Sequence, residues 1–147
     1  MRKGATFSKS ILLSIFNRRG GTGHHTMPFD ILSSRQKKQI LEDISLGSME
    51  EPVIASLRAD DCWVLITTER VIYYRAGTLT YIENTDIKDV TVDLLADSKR
   101  GARTKGELVY LRVFTHSGNE YLIEIEAGPP HIGIWNVLKH IAARRES

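Results

Sequence analysis

The chain has 147 residues, of which 41% are hydrophobic and 26% are charged, a composition typical of one globular domain and not of a disordered or fibrous protein. A domain of this size buries enough surface to be stable without disulfides, and its single cysteine, Cys62, excludes an internal one. Because Cys62 lies within an apolar run, we expect it to be a buried packing residue. No run approaches the roughly 18 consecutive apolar residues that cross a bilayer, so we expect no transmembrane segment.

The net charge of +2 conceals an uneven distribution. Residues 1–29 contain five basic and no acidic residues, whereas residues 30–147 contain 15 basic and 18 acidic residues. A basic arm attracts the phosphates of lipid or nucleic acid, but the slightly acidic remainder argues against a nucleic-acid-binding surface. We therefore expect no nucleic acid partner, and we take Arg18 and Arg19 in the arm as candidate residues for binding anions or lipid.

Residues 1–28 are predicted to form a basic, flexible tail that contains one apolar segment, 7–16. A cleaved secretory signal has such a segment, but Arg18 and Arg19 stand where its cleavage site belongs. A membrane-surface helix would place the apolar residues of the segment on one face, with basic residues near the headgroups. A mobile or locally docked tail is the favoured interpretation, because the glycine-rich stretch 20–25 is typical of a flexible joint.

The pattern of residues 30–46 predicts a helix at the start of the domain, which we place at 29–147. Ser33 or Ser34 serves as its N-cap and Gly47 ends it. Its apolar stripe consists of Ile40, Leu41 and Ile44. A short helix forms mainly by packing an apolar face against something else, so we expect this one to dock on the strands that follow.

From residue 52 the apolar period changes to that of strands. Seven strands are predicted, at 53–57, 63–67, 71–75, 79–83, 87–94, 108–114 and 121–125. The turn Ala76-Gly77 forms a tight hairpin, and Ile87 is out of phase with Val90, which indicates a β-bulge. The sixth strand is apolar throughout, so it is expected to be buried on both faces or to lie against a helix. Trp63 in the second strand is expected to be structural.

The stretch 97–106 lacks apolar periodicity and is predicted to be an exposed loop. It contains the second group of candidate anion- or lipid-binding residues, Lys99, Arg100, Arg103 and Lys105.

A terminal helix is predicted to begin after Gly128, with proline in its first turn. Its expected buried stripe consists of Ile132, Trp135, Leu138, Ile141 and Ala142. This stripe would cover the open end of a barrel, so the fold class is mainly β, within the α+β class, with one closing helix.

The hairpin of this β-region reads Val64-Leu65-Ile66-Thr67-Thr68-Glu69-Arg70-Val71-Ile72-Tyr73 and resembles a hairpin that recurs in bacterial pleckstrin-homology-like (PH-like) and GRAM-like domains. Thr67 and Arg70 match the threonine and arginine of that hairpin, and Trp135 lies where PH domains commonly have a tryptophan. The resemblance covers about residues 50–145. It implies a seven-stranded, antiparallel, partly open barrel capped by a C-terminal helix, here with an extra N-terminal helix.

The resemblance also implies a phosphoinositide pocket formed by the first two strands and the loop between them. In this chain that loop is Ala59-Asp60-Asp61, which is short and acidic. We therefore expect the usual headgroup pocket to be absent.

Catalytic and metal-binding patterns are missing from the sequence. The five histidines do not form a motif such as H-E-x-x-H, and no serine lies in a G-x-S-x-G nucleophile elbow. We expect a non-enzymatic protein with no catalytic residues, no metal and no cofactor.

Two functions follow from these expectations. The first is a protein-interaction module, which presents a sheet edge or the groove beside the last helix to a peptide or to another copy of itself. The alternative is a peripheral membrane adaptor that binds anionic lipid through the basic tail and the 97–106 loop. Either would act in the bacterial cytoplasm, the adaptor at the inner face of the membrane.

Overall fold

The apolar runs of the sequence form two antiparallel sheets in the computed structural model, which describes residues 7–144 apart from the side chain of Lys105. The first sheet contains, in spatial order, β1 (Thr26–Pro28), β2 (Pro52–Ala59), β3 (Cys62–Thr67), β4 (Arg70–Arg75) and β5 (Thr78–Glu83). The second contains β6 (Ile87–Val92), β7 (Tyr110–Thr115) and β8 (Glu120–Glu124). The α-helices in this part of the chain are α1 (Lys9–Arg19), α2 (Ser34–Leu41), α3 (Leu94–Lys99) and α4 (Pro129–Ala143).

The expected fold class, mainly β within α+β, is confirmed, but the strand count is corrected from seven to eight within the described residues, and the two sheets do not close into a barrel. The additional strand, β1, has three residues and no apolar alternation that would have predicted it. The bulge is confirmed, because Ile87 pairs with Thr115 whereas Asp89 pairs with Phe114, which leaves one extra residue in β6. The hairpin turn at Ala76-Gly77 is also confirmed.

The centre of the first sheet, β3, is buried on both faces. Val64 and Ile66 face an inner core between the two sheets, while Trp63 and Leu65 face an outer core. Cys62 belongs to the inner core, as predicted. Of the two alternatives for the sixth predicted strand, burial on both faces is wrong, because β7 alternates between buried and half-buried residues. The strand lies against a helix, α3, which was the other alternative. The strand that is buried on both faces is β3, because the segment that contains α2 covers its outer face.

The outer core is completed by the segment that contains α2. Phe29, Leu32 and Ile40 pack on the outer face of the first sheet, so the predicted docking of the N-terminal helix is confirmed. The helix is shorter than the predicted 30–46, and Ser33 caps it by accepting a hydrogen bond from the Gln36 backbone N–H while the Gln36 side chain accepts one from the Ser33 N–H. This reciprocal arrangement satisfies two donors that the first turn would otherwise leave without partners. Trp63, a predicted structural residue, is 1% exposed in this core and stacks on Tyr74 at 5.5 Å between ring centroids.

A helix occupies much of the segment predicted to be a flexible tail. Ser8 caps α1, and Leu12 and Phe16 on this helix are fully buried where it packs against α4. Gly133 allows the close approach, since a Cβ there would lie 2.8 Å from the Phe16 ring. Of the two forms that the sequence left open for this tail, mobile or locally docked, the segment with α1 has the docked one, because its apolar face has a partner late in the sequence. Residues 1–6 of that tail, and 145–147, lie outside the described residues.

The closing helix α4 is rotated relative to its predicted stripe. Its most buried apolar residues are Ile134, Val137, Leu138 and Ile141, whereas Ile132 is 44% exposed. Trp135 is half-buried at the rim of the inner core, and its indole N–H donates to the Val90 carbonyl oxygen at 3.2 Å. The rotation follows from two neighbours, since α4 packs on α1 as well as on β6. Within residues 7–144 none of the helices combines the length and the apolar character that crossing a bilayer requires.

Candidate interaction surfaces

The basic stretch expected to be an exposed loop begins as a helix. The Asp93 side chain caps α3 by accepting a hydrogen bond from the Ala96 N–H at 2.9 Å. Asp97 is fully buried and accepts hydrogen bonds from the backbone N–H groups of Val109 and Tyr110. The prediction of an exposed loop is corrected for this part, because one buried carboxylate fixes α3 to the start of β7.

Arg100 is bound within this arrangement. Its guanidinium pairs with Asp97 at 3.1 Å and donates to the Glu107 carbonyl oxygen. Arg100, one of the candidate anion-binding residues, therefore has its donors directed to the protein itself.

Lys99 and Arg103 are exposed, and no acidic side chain among the described residues lies within ion-pair distance of either. Lys105 begins a single 3-10 turn, Lys105–Glu107. The pKa of Glu107 is lowered by the backbone N–H groups of Arg103 and Thr104, which donate to its side chain. The acidic groups of this region are thus engaged locally, and positive charge remains.

Two exposed leucines stand beside this positive charge. Leu94 is 64% exposed and Leu95 is 67% exposed at the start of α3. The sequence analysis missed them as surface residues, because Leu94 continued the apparent alternation of the preceding strand. The N-cap residue Asp93 was the signal that could have placed them on a helix.

Arg18 and Arg19 lie in the last turn of α1, where both are exposed. Cations at this position are favoured by the partial negative charge of the helix C-terminus. The structure thus places these two candidates on a different helix from the basic residues around α3.

The turn residues Thr67 and Arg70 belong to a buried polar network whose centre is Glu50. Arg70 donates to both carboxylate oxygens of Glu50 at 2.9 Å, and the Thr67 hydroxyl donates to Glu50 at 2.5 Å. Arg70 also donates to the Ser45 carbonyl oxygen at 2.8 Å. The network fixes the connection between α2 and β2 to the β3–β4 turn. The sequence analysis identified the two turn residues but missed Glu50, which lies in an apparent loop.

Burial raises the pKa of Glu50, but the hydrogen bonds from Arg70 and Thr67 outweigh burial, and the pKa lies below its ordinary value. The carboxylate is therefore ionised in the folded protein at neutral pH.

A recess at one end of the first sheet contains two arginines that the sequence analysis did not select, Arg58 and Arg75. Both pair with Glu124, at 2.5 Å and 3.5 Å, which joins the end of the first sheet to β8. Burial raises the pKa of the adjacent Cys62 thiol and raises the pKa of Tyr73 to about 12. The recess is thus lined by compensated charges and by a thiol that stays protonated at neutral pH.

Beside the last helix, where a peptide site was expected, α4 packs directly on β6. In addition to the Trp135 contact with the Val90 carbonyl, Lys139 pairs with Asp89 at 3.0 Å. The backbone and side chains of β6 that would meet a peptide there are therefore partly engaged.

The outer edge of β5 is different, because no other strand of residues 7–144 pairs with it. Arg75 and Thr78 flank a two-residue turn in which Ala76 has φ 49° and Gly77 has φ 85°, the geometry of a type I′ hairpin. Such a turn makes the flanking pair hydrogen-bonded, and hydrogen-bonded pairs alternate with non-hydrogen-bonded pairs along the ladder. Thr78, Thr80 and Ile82 therefore direct their backbone groups to β4.

The remaining residues of β5 direct their N–H and C=O groups outward. These residues are Leu79, Tyr81 and Glu83. The next pair along the ladder, Glu69 and Asn84, is hydrogen-bonded, because the Asn84 N–H donates to the Glu69 carbonyl oxygen at 2.9 Å. This agrees with the alternation, since Glu83 before it is an outward residue. The outward groups form a row on a regular strand that has one charged residue, no proline and no bulge. Natural edge strands are usually protected from pairing by several charged residues, a proline or a bulge. Because β5 has little of this protection, it is suited to accept another strand.

Within residues 7–144, no cluster of three or more histidine, cysteine, aspartate or glutamate residues could hold a metal ion. No protein-family model, curated protein or solved structure matches the chain.

Proposed function

We propose that the chain is a non-enzymatic, PH-like binding module that recognises an extended segment of a protein through the outer edge of β5. The observation that carries this proposal is the row of outward backbone groups on Leu79, Tyr81 and Glu83. An extended segment that adds to a sheet edge gains main-chain hydrogen bonds, and its alternate side chains determine specificity.

The side chains on one face of β5 support the same proposal. On the outer face, Leu79 is half-buried against the outer core and Tyr81 is 43% exposed. The Arg70 guanidinium lies 5.2 Å from the centroid of the Tyr81 ring, and Arg70 is itself held by Glu50. The ring is thus a supported contact surface for alternate side chains of an added strand.

A proline substitution provides a specific test. Tyr81→Pro removes an outward N–H and leaves the hydrogen bonds to β4 intact, because proline is tolerated where an edge N–H faces solvent. Peptides selected from a random displayed library against the wild-type protein are expected to bind Tyr81→Pro at least about tenfold more weakly, which corresponds to the loss of about one net hydrogen bond and part of the pairing. Isothermal titration calorimetry measures the difference.

The matched control is Tyr81→Ala, which removes the same ring but keeps the N–H. It is expected to retain the part of the affinity that comes from backbone hydrogen bonds. In the wild-type protein, NMR chemical shift changes on peptide binding should centre on residues 79–83. Selected peptides that bind Tyr81→Pro as tightly as Tyr81→Ala would show that recognition does not use this edge.

A second candidate function, peripheral binding to anionic membrane, is favoured by Leu94 and Leu95. Exposed apolar side chains beside cations are suited to the boundary between headgroups and acyl chains, and each nearby cation contributes about 1 kcal/mol. Lys99 and Arg103 would supply this charge, together with Arg18 and Arg19 if α1 also faces the bilayer. In a bacterial cell the module would then lie at the cytoplasmic face of the membrane.

Co-sedimentation with vesicles of graded anionic lipid content tests this candidate. We expect Leu94→Ser with Leu95→Ser to abolish binding at physiological ionic strength, and Lys99→Ala with Arg103→Ala to reduce the salt dependence of binding. Leu41→Ser, at a 37% exposed leucine on α2, is the control. Absence of sedimentation by the wild-type protein, even with fully anionic vesicles at low salt, would exclude the membrane function.

A further inference from the structure

We infer that the segment recognised by β5 is β5 of a second copy of this chain, so that two molecules pair edge to edge around a two-fold axis. This inference rests on the proposed function, because it assigns a partner to the same edge. It rests on the open edge of β5 and on the side chains that a two-fold axis would place opposite one another along it.

The two faces of β5 are distinct. Leu79 and Tyr81 lie opposite Tyr74 and Ile72 of the outer core, whereas Thr80 and Ile82 lie opposite Tyr73 and Val71 of the inner core. These pairs define the outer face and the inner face of β5. A two-fold axis perpendicular to the sheet keeps the outer face of both molecules on the same side. Opposite residues across the axis must then belong to the same face.

The backbone groups obey the same condition. Residues of the outer face are those whose N–H and C=O groups point away from β4, so an antiparallel copy places outward groups opposite outward groups. Each such pair exchanges two hydrogen bonds. Any regular strand meets both conditions together, because side-chain faces and backbone groups alternate with the same period. What is particular to β5 is which residues become opposed in each register.

The most complementary register is centred on Thr80. It places Leu79 opposite Tyr81 of the second copy, Thr80 opposite Thr80, and Thr78 opposite Ile82. Apolar residues meet on the outer face, and threonine hydroxyls meet on the inner face, both of which are favourable cross-strand pairs. The one charged residue of the strand, Glu83, lies opposite the neutral Gly77, so no like charges are opposed.

The neighbouring registers are less suitable. Centring on Tyr81 places Leu79 opposite Glu83. Centring on Leu79 places both Tyr81 and Ile82 opposite the turn residues Gly77 and Ala76, whose positive φ angles end the strand, whereas the Thr80-centred register leaves only Glu83 opposite the turn. The edge is therefore self-complementary in one register. Two five-stranded sheets would become continuous through it.

Sedimentation equilibrium of the full chain over the micromolar range tests the inference. We expect the wild-type protein to be in monomer–dimer equilibrium, with a dissociation constant at least about tenfold weaker for Tyr81→Pro than for Tyr81→Ala. Circular dichroism establishes that each variant is folded.

A charge-exchange pair provides a second, independent measurement. Leu79→Lys with Tyr81→Lys, and Leu79→Glu with Tyr81→Glu, should each be monomeric because like charges oppose across the axis. An equimolar mixture of the two variants should form a heterodimer, since every opposed pair is then of opposite charge.

A wild-type protein that is monomeric throughout the range overturns the inference. A dimer that Tyr81→Pro leaves intact, or a mixture of charge variants that stays monomeric while the wild type dimerises, also overturns it. In each case peptide binding to the same edge is decided by the separate calorimetric experiment, so failure of self-pairing and failure of edge recognition are distinguishable.

Discussion

Replacing Phe16 by alanine is expected to lower the free energy of unfolding by about 3–5 kcal/mol, the usual cost of truncating a fully buried aromatic side chain. Phe16 is 0% exposed, and its ring is in close contact with Gly133 of α4. On the side of Gly133 the contact is with a residue that has no side chain to move into the space. Chemical denaturation of the full chain measures the change.

Ile11→Ala is the control, since Ile11 lies on the same helix at 45% exposure and its truncation should change stability by less than about 1 kcal/mol. Equal effects of the two substitutions would contradict the docking of α1. A Phe16→Ala protein as stable as the wild type would show that residues 9–19 are not part of the core.

Replacing Glu50 by alanine is expected to destabilise the fold by about 3 kcal/mol, because it removes the buried carboxylate that accepts hydrogen bonds from the partly buried Arg70 guanidinium and from the Thr67 hydroxyl. The Glu50 side chain is 1% exposed and the Arg70 side chain 19% exposed, so solvent replaces the lost contacts only in part. Glu51→Ala, at the exposed neighbouring position, is the control and should be nearly neutral.

The contribution of Glu50 should also depend on pH. Its pKa in the folded protein lies below the ordinary value of 4.5, so the unfolded chain binds a proton first as pH falls. The stability advantage of the wild type over Glu50→Gln is therefore complete above that ordinary value and declines as pH decreases below it. An advantage that is constant from neutral pH to acid would show that ionisation of Glu50 does not stabilise the fold.

Local signals in the sequence predicted several elements correctly. The Ser33 cap, the Ala76-Gly77 hairpin and the bulge at Ile87 all depend on interactions among residues close in the chain. Turn chemistry, capping and alternation encode such interactions directly. These features were therefore predictable without knowledge of the tertiary structure.

Elements that depend on distant partners were not predictable in this way. The apolar face of α1 gives no indication of its partner, and the contact of Phe16 with Gly133 joins opposite ends of the chain. The buried stripe of α4 was predicted on the assumption that the helix packs only on the strands. Because α4 also packs on α1, its buried face differs from that stripe, and Trp135 lies at the rim of the inner core. Asp97 was assigned to solvent because the residues around it are polar, although backbone donors of β7 bury it.

The candidate surfaces show the same division. Basic residues are visible in a sequence, but whether Arg100 is free to bind an anion depends on Asp97 and Glu107. The sequence of β5 does not show that it is an edge strand, because an interior strand of a half-buried sheet could have the same alternation. Its position at the edge is a property of the topology. The type I′ turn then determines which of its backbone groups face outward, a consequence that requires the pairing as well as the sequence.

Site-resolved amide hydrogen exchange along β5, measured by NMR at a concentration where the chain is monomeric, tests the open edge most directly. We predict slow exchange for the amides of Thr80 and Ile82, which donate to β4, and exchange near the unprotected rate for those of Leu79, Tyr81 and Glu83. Addition of a bound peptide or an increase in concentration should protect the second group. Protection of Leu79, Tyr81 and Glu83 already in the monomer would mean that another part of the chain covers this edge, and would contradict the account.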